Sequence, residues 1–195
     1  MQNTNLIQDY LNSQIKAISD LKEKMNIIEK ILDIILEARN NEKQIYVLGN
    51  GGSASTSTHF VSDLLKTSIT EDEKRFKAMS LSDNIPVILA WSNDMSYDAI
   101  FVEQLKNFLQ EGDVVIAISG SGNSQNVINA VNYANQINAK TISLTGKDGG
   151  KLSEISKTNL TIHSNDMLTI ETMHLCVCHL LTTMIRSKGK PLFSY

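Results

Sequence analysis

The chain has few of the residues that support disulfide scaffolds. Its 195 residues include only two cysteines and two prolines. Cys176 and Cys178 lie one residue apart in an apolar helical stretch, so they project to different sides and cannot readily form a disulfide. We therefore interpret both as small buried hydrophobic residues.

Basic side chains are also fewer than acidic ones, with 18 Lys and Arg residues against 21 Asp and Glu residues. The net charge is −3 and the isoelectric point is near 5.8. The Lys and Arg residues are scattered along the chain, whereas a nucleic-acid-binding protein needs a basic patch or stripe. We therefore expect no nucleic-acid partner.

We expect no signal peptide in the first residues of the chain. These residues, MQNTNLIQDYLNSQ, are polar from the start and lack the basic and then apolar build of a signal peptide. No apolar run approaches the length that a membrane span requires. We predict a cytoplasmic protein without a membrane partner. With 42% apolar residues, the chain is long enough for one compact domain.

Hydrophobic periodicity divides the chain into two parts. Apolar residues recur every three or four positions from about Leu6 to Ala38, which indicates two amphipathic helices or one bent helix. Beyond this segment, short apolar runs alternate with helical segments, which is typical of a parallel sheet covered by helices on both faces. We predict an α/β fold with a helical oligomerisation segment at 1–41 and one structural unit at 42–195.

The second part is predicted to contain five strands and six helices. The strands are Gln44–Leu48, Phe76–Leu81, Asp113–Ile118, Thr141–Thr145 and Leu160–His163. The helices are Ala54–Thr67, Ile85–Trp91, Tyr97–Leu109, Ser124–Ile137, Gly150–Ile155 and Leu168–Ser187. In such a sheet, ligands bind beyond the carboxyl ends of the strands, so the loops there should hold the functional residues.

The first strand runs into a glycine-rich loop, Gly49-Asn50-Gly51-Gly52, and then into a helix that we expect Ser53 to open. Backbone N–H groups at a helix start carry partial positive charge, so an anion or a row of sugar hydroxyls can bind there. The loop lacks the spacing of a dinucleotide fingerprint, and no Gly-Lys-Ser/Thr follows it. We expect an oxygen-rich, phosphorylated ligand.

A second polar loop, Ser119-Gly120-Ser121-Gly122-Asn123-Ser124, follows another predicted strand and precedes a helix. Its hydroxyls, its glycines and the helix start form a suitable cradle for a phosphate that is bound by neutral donors. The alternative is a solvated turn with a serine at the helix N-cap. Asn93-Asp94 is predicted to lie in a turn before a helix, where the pair either caps the helix or recognises hydroxyls.

Two helices carry titratable side chains at helical spacing. His59 and Asp63 are four residues apart, so both can point at one spot. That spacing suits two metal ligands, a base with its partner, or a contact on the helix surface. On the last helix Glu171 and His179 lie on nearly the same side, whereas His174 and His179 diverge.

Five motifs, taken in order, resemble the sugar isomerase (SIS) fold family, with the nearest likeness to its phosphoheptose isomerases. They are GNGGSAS with HF at 49–60, SND at 92–94, SGSGNSQNV at 119–127, LTGKDGGKL at 144–152, and the last helix with Glu171 and His179. The resemblance runs from about residue 7 to residue 185. It implies a three-layer α/β/α domain with a five-stranded parallel sheet. It also implies an isomerase that converts sedoheptulose 7-phosphate to D-glycero-D-manno-heptose 7-phosphate through an enediol, for lipopolysaccharide or capsule synthesis.

The resemblance further implies a role for individual residues. Those that would contact the sugar are Asn50, Gly51, Gly52, Ser53, Asn93, Asp94 and Glu171, and those that would bind the phosphate are Ser119, Gly120, Ser121 and Ser124. One zinc ion per subunit would be held by His59, Asp63, Glu171 and His179. Our hypothesis for the catalytic residues is that Asp63 or Glu171 is the base and that His179 assists proton movement or holds the metal. The assembly would be a homotetramer with its sites at subunit interfaces.

Four positions depart from the family pattern. Asp63 stands where the family has the Glu that is the proposed base, and Glu171 stands where it has Gln. Thr172 replaces a Glu and Gly120 replaces a Thr. We interpret the chain as a branch of the family. The alternatives are an isomerase of another ketose phosphate and a non-catalytic module that senses sugar phosphates or binds a protein, like the SIS-fold partner of the bacterial replication initiator.

Overall fold

The centre of the fold is a sheet of five parallel strands, seen in a computed structural model that describes residues 2–194. The strands are β1 (Gln44–Gly49), β2 (Lys77–Ser80), β3 (Val114–Ser119), β4 (Lys140–Gly146) and β5 (Thr158–Ile162). Their order is β2-β1-β3-β4-β5. Because β2 and β3 lie on opposite sides of β1, the direction of strand addition reverses at β1 and β3.

Helices precede the sheet and connect its strands. They are α1 (Gln2–Lys22), α2 (Met25–Asn40), α3 (Gly52–Ser62), α4 (Ile85–Asp94), α5 (Val102–Phe108), α6 (Gln125–Gln136), α7 (Gly150–Ile155) and α8 (Met167–Ser187). A π-helical segment at Asp63–Thr67 continues α3, and a 3-10 turn at Tyr97–Ala99 precedes α5.

Alternate residues of the central strands contribute to two separate cores. Ile45 and Val47 of β1 pack with residues of α1, α2, α3 and α8 on one face of the sheet. Tyr46 and Leu48 pack with residues of α5, α6 and α7 on the other face. Side chains of a strand alternate between its two faces, so a strand buried on both faces must be apolar throughout. The predicted α/β architecture, with helices on both faces of a parallel sheet, is confirmed.

Helix α8 is the one helix of the described residues that is long and apolar enough to cross a membrane by length and composition. The expectation that no apolar run reaches this length therefore failed for α8. Half of its apolar window is buried inside the protein, where α8 contacts α1, α2, α3 and β4. Its apolar composition is accounted for by this position in the core.

The N-terminal helices pack onto the sheet and still leave an apolar surface. Ile31 and Ile35 of α2 are buried in the core, whereas Leu6, Ile7 and Ile15 of α1 are each more than 60% exposed. Helix α4 has no buried residue, although its sequence is IPVILAWSND. Two apolar helical surfaces are therefore uncovered in the single chain.

Two predicted element boundaries were wrong, and both lie next to predicted site residues. Helix α3 begins at Gly52 with Gly51 as its N-cap, not at Ser53. Gly51 has φ 55° and ψ −123°, a conformation that residues with a side chain rarely adopt. Asn93-Asp94 forms the end of α4, not the turn before a helix.

Candidate functional site

A cleft of roughly 200 Å³ opens where β1 and β3 end, at the reversal of strand addition. The loop after β1, the loop after β3 and the first turns of α8 form its walls. The lining residues are Asn50, Ser53, Ile118, Ser119, Gly120, Ser121, Ser124, Met167 and Glu171. Doubly wound sheets bind their ligands at this point. The structure thus brings together most of the residues that the sequence assigned to a sugar phosphate.

One wall of the cleft consists of three serine hydroxyls. The Oγ of Ser119 lies 3.5 Å from the Oγ of Ser121 and 3.3 Å from the Oγ of Ser124. Helix α6 begins directly after Ser124, and the first N–H groups of a helix are free to bind an anion. None of the described lining residues is Lys or Arg, so the donors offered to an anion here are hydroxyls and backbone N–H groups.

Two glycines allow α8 to approach the loops closely. A Cβ atom at Gly52 would lie 2.3 Å from an Oε atom of Glu171. A Cβ atom at Gly120 would lie 2.3 Å from the Sδ of Met167. A side chain at position 120 would therefore require Met167, whose end is flexible, to move.

Asn50 is held by two residues that the sequence analysis did not single out. Its Nδ2 donates to the Oδ1 of Asn126, and the Nδ2 of Asn126 donates to its Oδ1, both at 2.9 Å. The hydroxyl of Tyr97 also donates to the Oδ1 of Asn50, at 2.9 Å. These partners are 76 and 47 residues away in the sequence. Only the motif SGSGNSQNV, which contains Asn126, gave any signal of them.

A second group of polar side chains lies further along α3 and α8. The Nε2 atoms of His59 and His179 are 3.0 Å apart. The Oδ2 of Asp63 lies 3.9 Å from the Nε2 of His59 and 3.8 Å from the Nε2 of His179. Both imidazole side chains are about half exposed, whereas the Asp63 side chain is 10% exposed. We call these three residues the histidine cluster.

The histidine cluster suits a zinc ion. Tetrahedral ligands about 2.1 Å from zinc lie about 3.4 Å from one another, and the three separations in the cluster bracket this value. Two histidines and a carboxylate leave a fourth position for substrate or water, which is the pattern of catalytic zinc sites. Asp63 is the first residue of the π-helical segment, and such segments frequently occur at functional sites.

One predicted zinc ligand lies outside this cluster, and three predicted sugar contacts lie apart from the cleft walls. Glu171 is not a member of the histidine cluster, because its carboxylate lies against Gly52 in the cleft. Asn93 donates to Asp94 at 2.7 Å, and both are exposed at the end of α4. Gly51 is exposed and acts as the N-cap of α3. Neither Asn93 nor Asp94 lines the cleft.

His174 lies on α8 between Glu171 and His179 and is completely buried. Its Nε2–H donates to the backbone oxygen of Thr145 on β4 at 2.9 Å, and its Nδ1 is buried without a partner. Burial lowers the pKa of His174 to about 4, although the hydrogen bond to Thr145 opposes the shift. The neutral imidazole of His174 therefore attaches α8 to the sheet, whereas His179 on the same helix belongs to the histidine cluster.

Comparison with known proteins gives matches over the whole fold. The model of the SIS domain family matches residues 9–146. The probable phosphoheptose isomerase of Thermoplasma volcanium is 36% identical over 181 residues, which are 93% of this chain and 91% of that protein. The phosphoheptose isomerase of Aliarcobacter butzleri is 36% identical over 180 residues, which are 92% of this chain and 95% of that protein.

Solved structures show the same similarity. A phosphoheptose isomerase from Francisella tularensis aligns with a TM-score of 0.90 and 27% identity, over 96% of this chain and 100% of that one. The phosphoheptose isomerase from Neisseria gonorrhoeae aligns with a TM-score of 0.87 and 27% identity over the same shares. The described helices and strands thus have counterparts in experimentally determined enzymes.

Proposed function

This chain belongs to the SIS domain family and is a sugar-phosphate isomerase of the phosphoheptose isomerase group; we propose that it uses the cleft and the histidine cluster together to isomerise a long ketose phosphate. The observation that carries the proposal is the shared direction of α3 and α8. Both helices begin at the cleft, and both carry residues of the histidine cluster further along their length. The proposed substrate is sedoheptulose 7-phosphate and the proposed product is D-glycero-D-manno-heptose 7-phosphate.

The phosphate of this substrate binds at Ser119, Ser121 and Ser124. Three hydroxyls and the start of α6 provide donors without a cation. Anchoring the unreactive end restricts where the reacting carbons lie, which supplies the positioning part of catalysis. The sugar carbons then extend along α8, so that C1 and C2 lie between Glu171 and the histidine cluster.

The reaction moves a proton between C1 and C2 of the sugar, so it needs a base, a proton donor to oxygen and stabilisation of the developing oxyanion. We assign the base to Glu171, because its carboxylate lines the cleft while Asp63 lies within contact of both imidazoles. His59, Asp63 and His179 would hold zinc, which polarises a carbonyl and stabilises charge on its oxygen. This assignment replaces the family Glu at position 63 with the carboxylate at position 171.

Two variants test the base. Glu171→Gln keeps the size of the side chain and removes the basic oxygen, so we expect kcat to fall about 10²–10⁴-fold with a small change in KM. Glu154→Gln, at an exposed position of α7, is the matched control. Retention of kcat in Glu171→Gln, with its loss in Asp63→Asn, would transfer the base to Asp63.

Metal analysis tests the zinc proposal separately. Protein purified without chelator should contain about one zinc per chain, because the histidine cluster offers three ligands. Dialysis against chelator should abolish turnover, and added zinc should restore it. Full activity in metal-free protein would remove zinc from the proposal and leave the isomerase itself in place.

We also propose a homotetramer with its sites at subunit interfaces. The support is the exposed apolar surface of α1 and α4, which includes Leu6, Ile7, Ile85 and Leu89, since patches of this kind mark contacts between proteins. Light scattering at micromolar concentration should give four chains per particle. A monomer would contradict the proposal. We place the enzyme in the cytoplasm, where its product would enter lipopolysaccharide or capsule synthesis.

A further inference from the structure

The carboxamide of Asn50 has a single orientation that its neighbours determine. The backbone N–H of Val127 donates to the Oδ1 of Asn126 at 2.9 Å. A backbone N–H can only donate, so the atom of Asn126 that faces it must be the oxygen. The amide nitrogen of Asn126 then faces Asn50, and the atom of Asn50 that receives its hydrogen must also be an oxygen.

This order leaves one unused hydrogen on Asn50. Its Oδ1 accepts from Asn126 and from Tyr97, which uses both lone pairs. One hydrogen of its Nδ2 is donated to Asn126. In a reciprocal amide pair the second hydrogen of each nitrogen points away from the pair, and Asn50 is a lining residue of the cleft.

We propose that Asn126 and Tyr97 are positioning residues that fix Asn50 as a hydrogen-bond donor to an acceptor oxygen of the bound sugar. The inference rests on the proposed isomerase function and adds two residues that act through Asn50. Asn126 is 1% exposed and fixes the amide from the side of α6. Tyr97 reaches the same oxygen from the turn after α4.

The arrangement differs from a purely structural contact. Each amide keeps a second N–H hydrogen, but Asn126 is 1% exposed, whereas Asn50 lines the cleft, so it is the spare hydrogen of Asn50 that can reach a ligand. If Asn50 rotated by half a turn, it would present an acceptor to the cleft and lose both hydrogen bonds to Asn126, while the Tyr97 hydroxyl would have to turn and accept.

The first test uses Tyr97→Phe, because Tyr97 is 52% exposed and its hydroxyl can be removed without disturbing the core. Loss of one neutral hydrogen bond that orients Asn50 should lower kcat/KM for sedoheptulose 7-phosphate about 3–10-fold. Tyr133→Phe on α6 is the matched control and should leave kcat/KM unchanged. In an Asn50→Ala background the effect of Tyr97→Phe should disappear, because Tyr97 acts through Asn50.

The second test uses Asn126→Asp, which keeps an acceptor for Val127 and removes the donor to Asn50. We expect kcat/KM to fall on the order of 100-fold. The Oδ1 of Asn50 would then face a carboxylate oxygen, so the Asn50 amide would rotate and no longer present its donor to the sugar. Inhibition by inorganic phosphate should weaken far less, because phosphate is proposed to bind at the serine loop, Ser119–Ser124, and does not need Asn50, although the added charge lies at the start of α6. Equal loss of phosphate inhibition would mean that the start of α6 has collapsed, and it would overturn the proposal.

Two further outcomes complete the test. Additive effects of Tyr97→Phe and Asn50→Ala would overturn the positioning role even if both variants are slow. If the wild-type protein does not turn over sedoheptulose 7-phosphate, the proposed function fails. Calorimetric binding of that sugar phosphate and of inorganic phosphate then tests the inference by itself, because Tyr97→Phe should weaken only the former.

Discussion

The cleft and the histidine cluster hold their polar groups in two different ways. The cleft is formed where the main chain leaves β1 and β3, and its serine and asparagine side chains bond to one another or to nearby backbone. The histidine cluster is formed by side chains that project from α3 and α8, and its imidazoles are half exposed. The cleft is thus ordered by the sheet, and the cluster is ordered by the packing of two helices.

This difference predicts a division of labour. Groups ordered by strand ends are suited to hold an unreactive anchor, because their positions are fixed before a ligand arrives. Exposed imidazoles retain access for an ion and for reacting atoms. Changes at the serines of the cleft should therefore affect mainly affinity, and changes at Glu171 or at the histidine cluster should affect mainly turnover. Four experiments test that division.

The largest effect is expected at the cluster. His179→Ala removes one of the three proposed zinc ligands, so kcat should fall about 10³-fold or more and the zinc content should drop well below one per chain. Inhibition by inorganic phosphate should persist, because the serine loop is intact. His163→Ala, which changes an exposed histidine after β5, is the control. Loss of phosphate binding in His179→Ala would show that the two regions are one unit.

The next largest effect is a loss of folding stability in acid, which involves His174 on α8, the helix that carries residues of both regions. The pKa of His174 is about 4 in the folded protein and near 6.5 when exposed, so the unfolded chain binds the proton first as the pH falls. Its contribution to stability is complete above about pH 6.5 and is lost towards pH 4. The loss amounts to about 3 kcal/mol.

Urea unfolding at pH 7.5 and pH 5 measures this contribution. The stability of the wild-type protein should decrease between the two values, and His174→Gln should show a smaller decrease. Because burial disfavours the charged imidazole although its donation to Thr145 is retained, acid should loosen the packing of α8 against β4 and impair the cleft and the cluster together. An identical pH dependence in the variant would exclude His174 as the cause.

A smaller effect is expected at the serine loop, Ser119–Ser124, where the phosphate is proposed to bind. Ser119→Ala removes the hydroxyl that lies between Ser121 and Ser124, so KM should rise about 10–100-fold through loss of a hydrogen bond to a charged group. The zinc content should be unchanged. Ser19→Ala on α1 is the control. A fall in kcat without a rise in KM would contradict the assignment of this loop to binding.

The smallest effect is expected at the wall between the regions. Gly52→Ala places a methyl group against the carboxylate of Glu171, which is the end of a flexible side chain and can move. We expect kcat to fall less than 10-fold, with zinc content and KM nearly unchanged. A larger change in KM than in kcat would indicate that Glu171 holds the sugar and does not remove its proton.

The order of elements was predictable from the sequence because each strand is a short apolar run and each helix has its own periodicity. The alternation of Ile45, Tyr46, Val47 and Leu48 between two cores needs strands that are apolar on both faces. The carboxyl-end loops were predictable for the same reason. The end of α4 was missed because Asn93 and Asp94 favour turns, yet they continue a helix whose start is capped by Asn84.

The members of the candidate site were predictable where they share a local motif. His59 and Asp63 are one helical turn apart, and Ser119 to Ser124 is a single loop. The pairing of Asn50 with Asn126 and Tyr97 depends on contacts across the switch between β1 and β3, for which no local pattern exists. The position of Glu171 against Gly52 likewise depends on the angle at which α8 approaches, which tertiary packing decides.

The parallel course of α3 and α8 sets the distance between the cleft and the histidine cluster, and with it the length of substrate that the proposed site can accept. From Gly52 to His59 the rise is about 10 Å, and from Glu171 to His179 it is about 12 Å, at 1.5 Å per residue. Because side chains return to the same face of a helix only after whole turns, the positions that can face the substrate are spaced about 5.4 Å apart. A relative that handles a shorter sugar would therefore have to move its reactive group by a full turn, so chain-length preference should change in jumps.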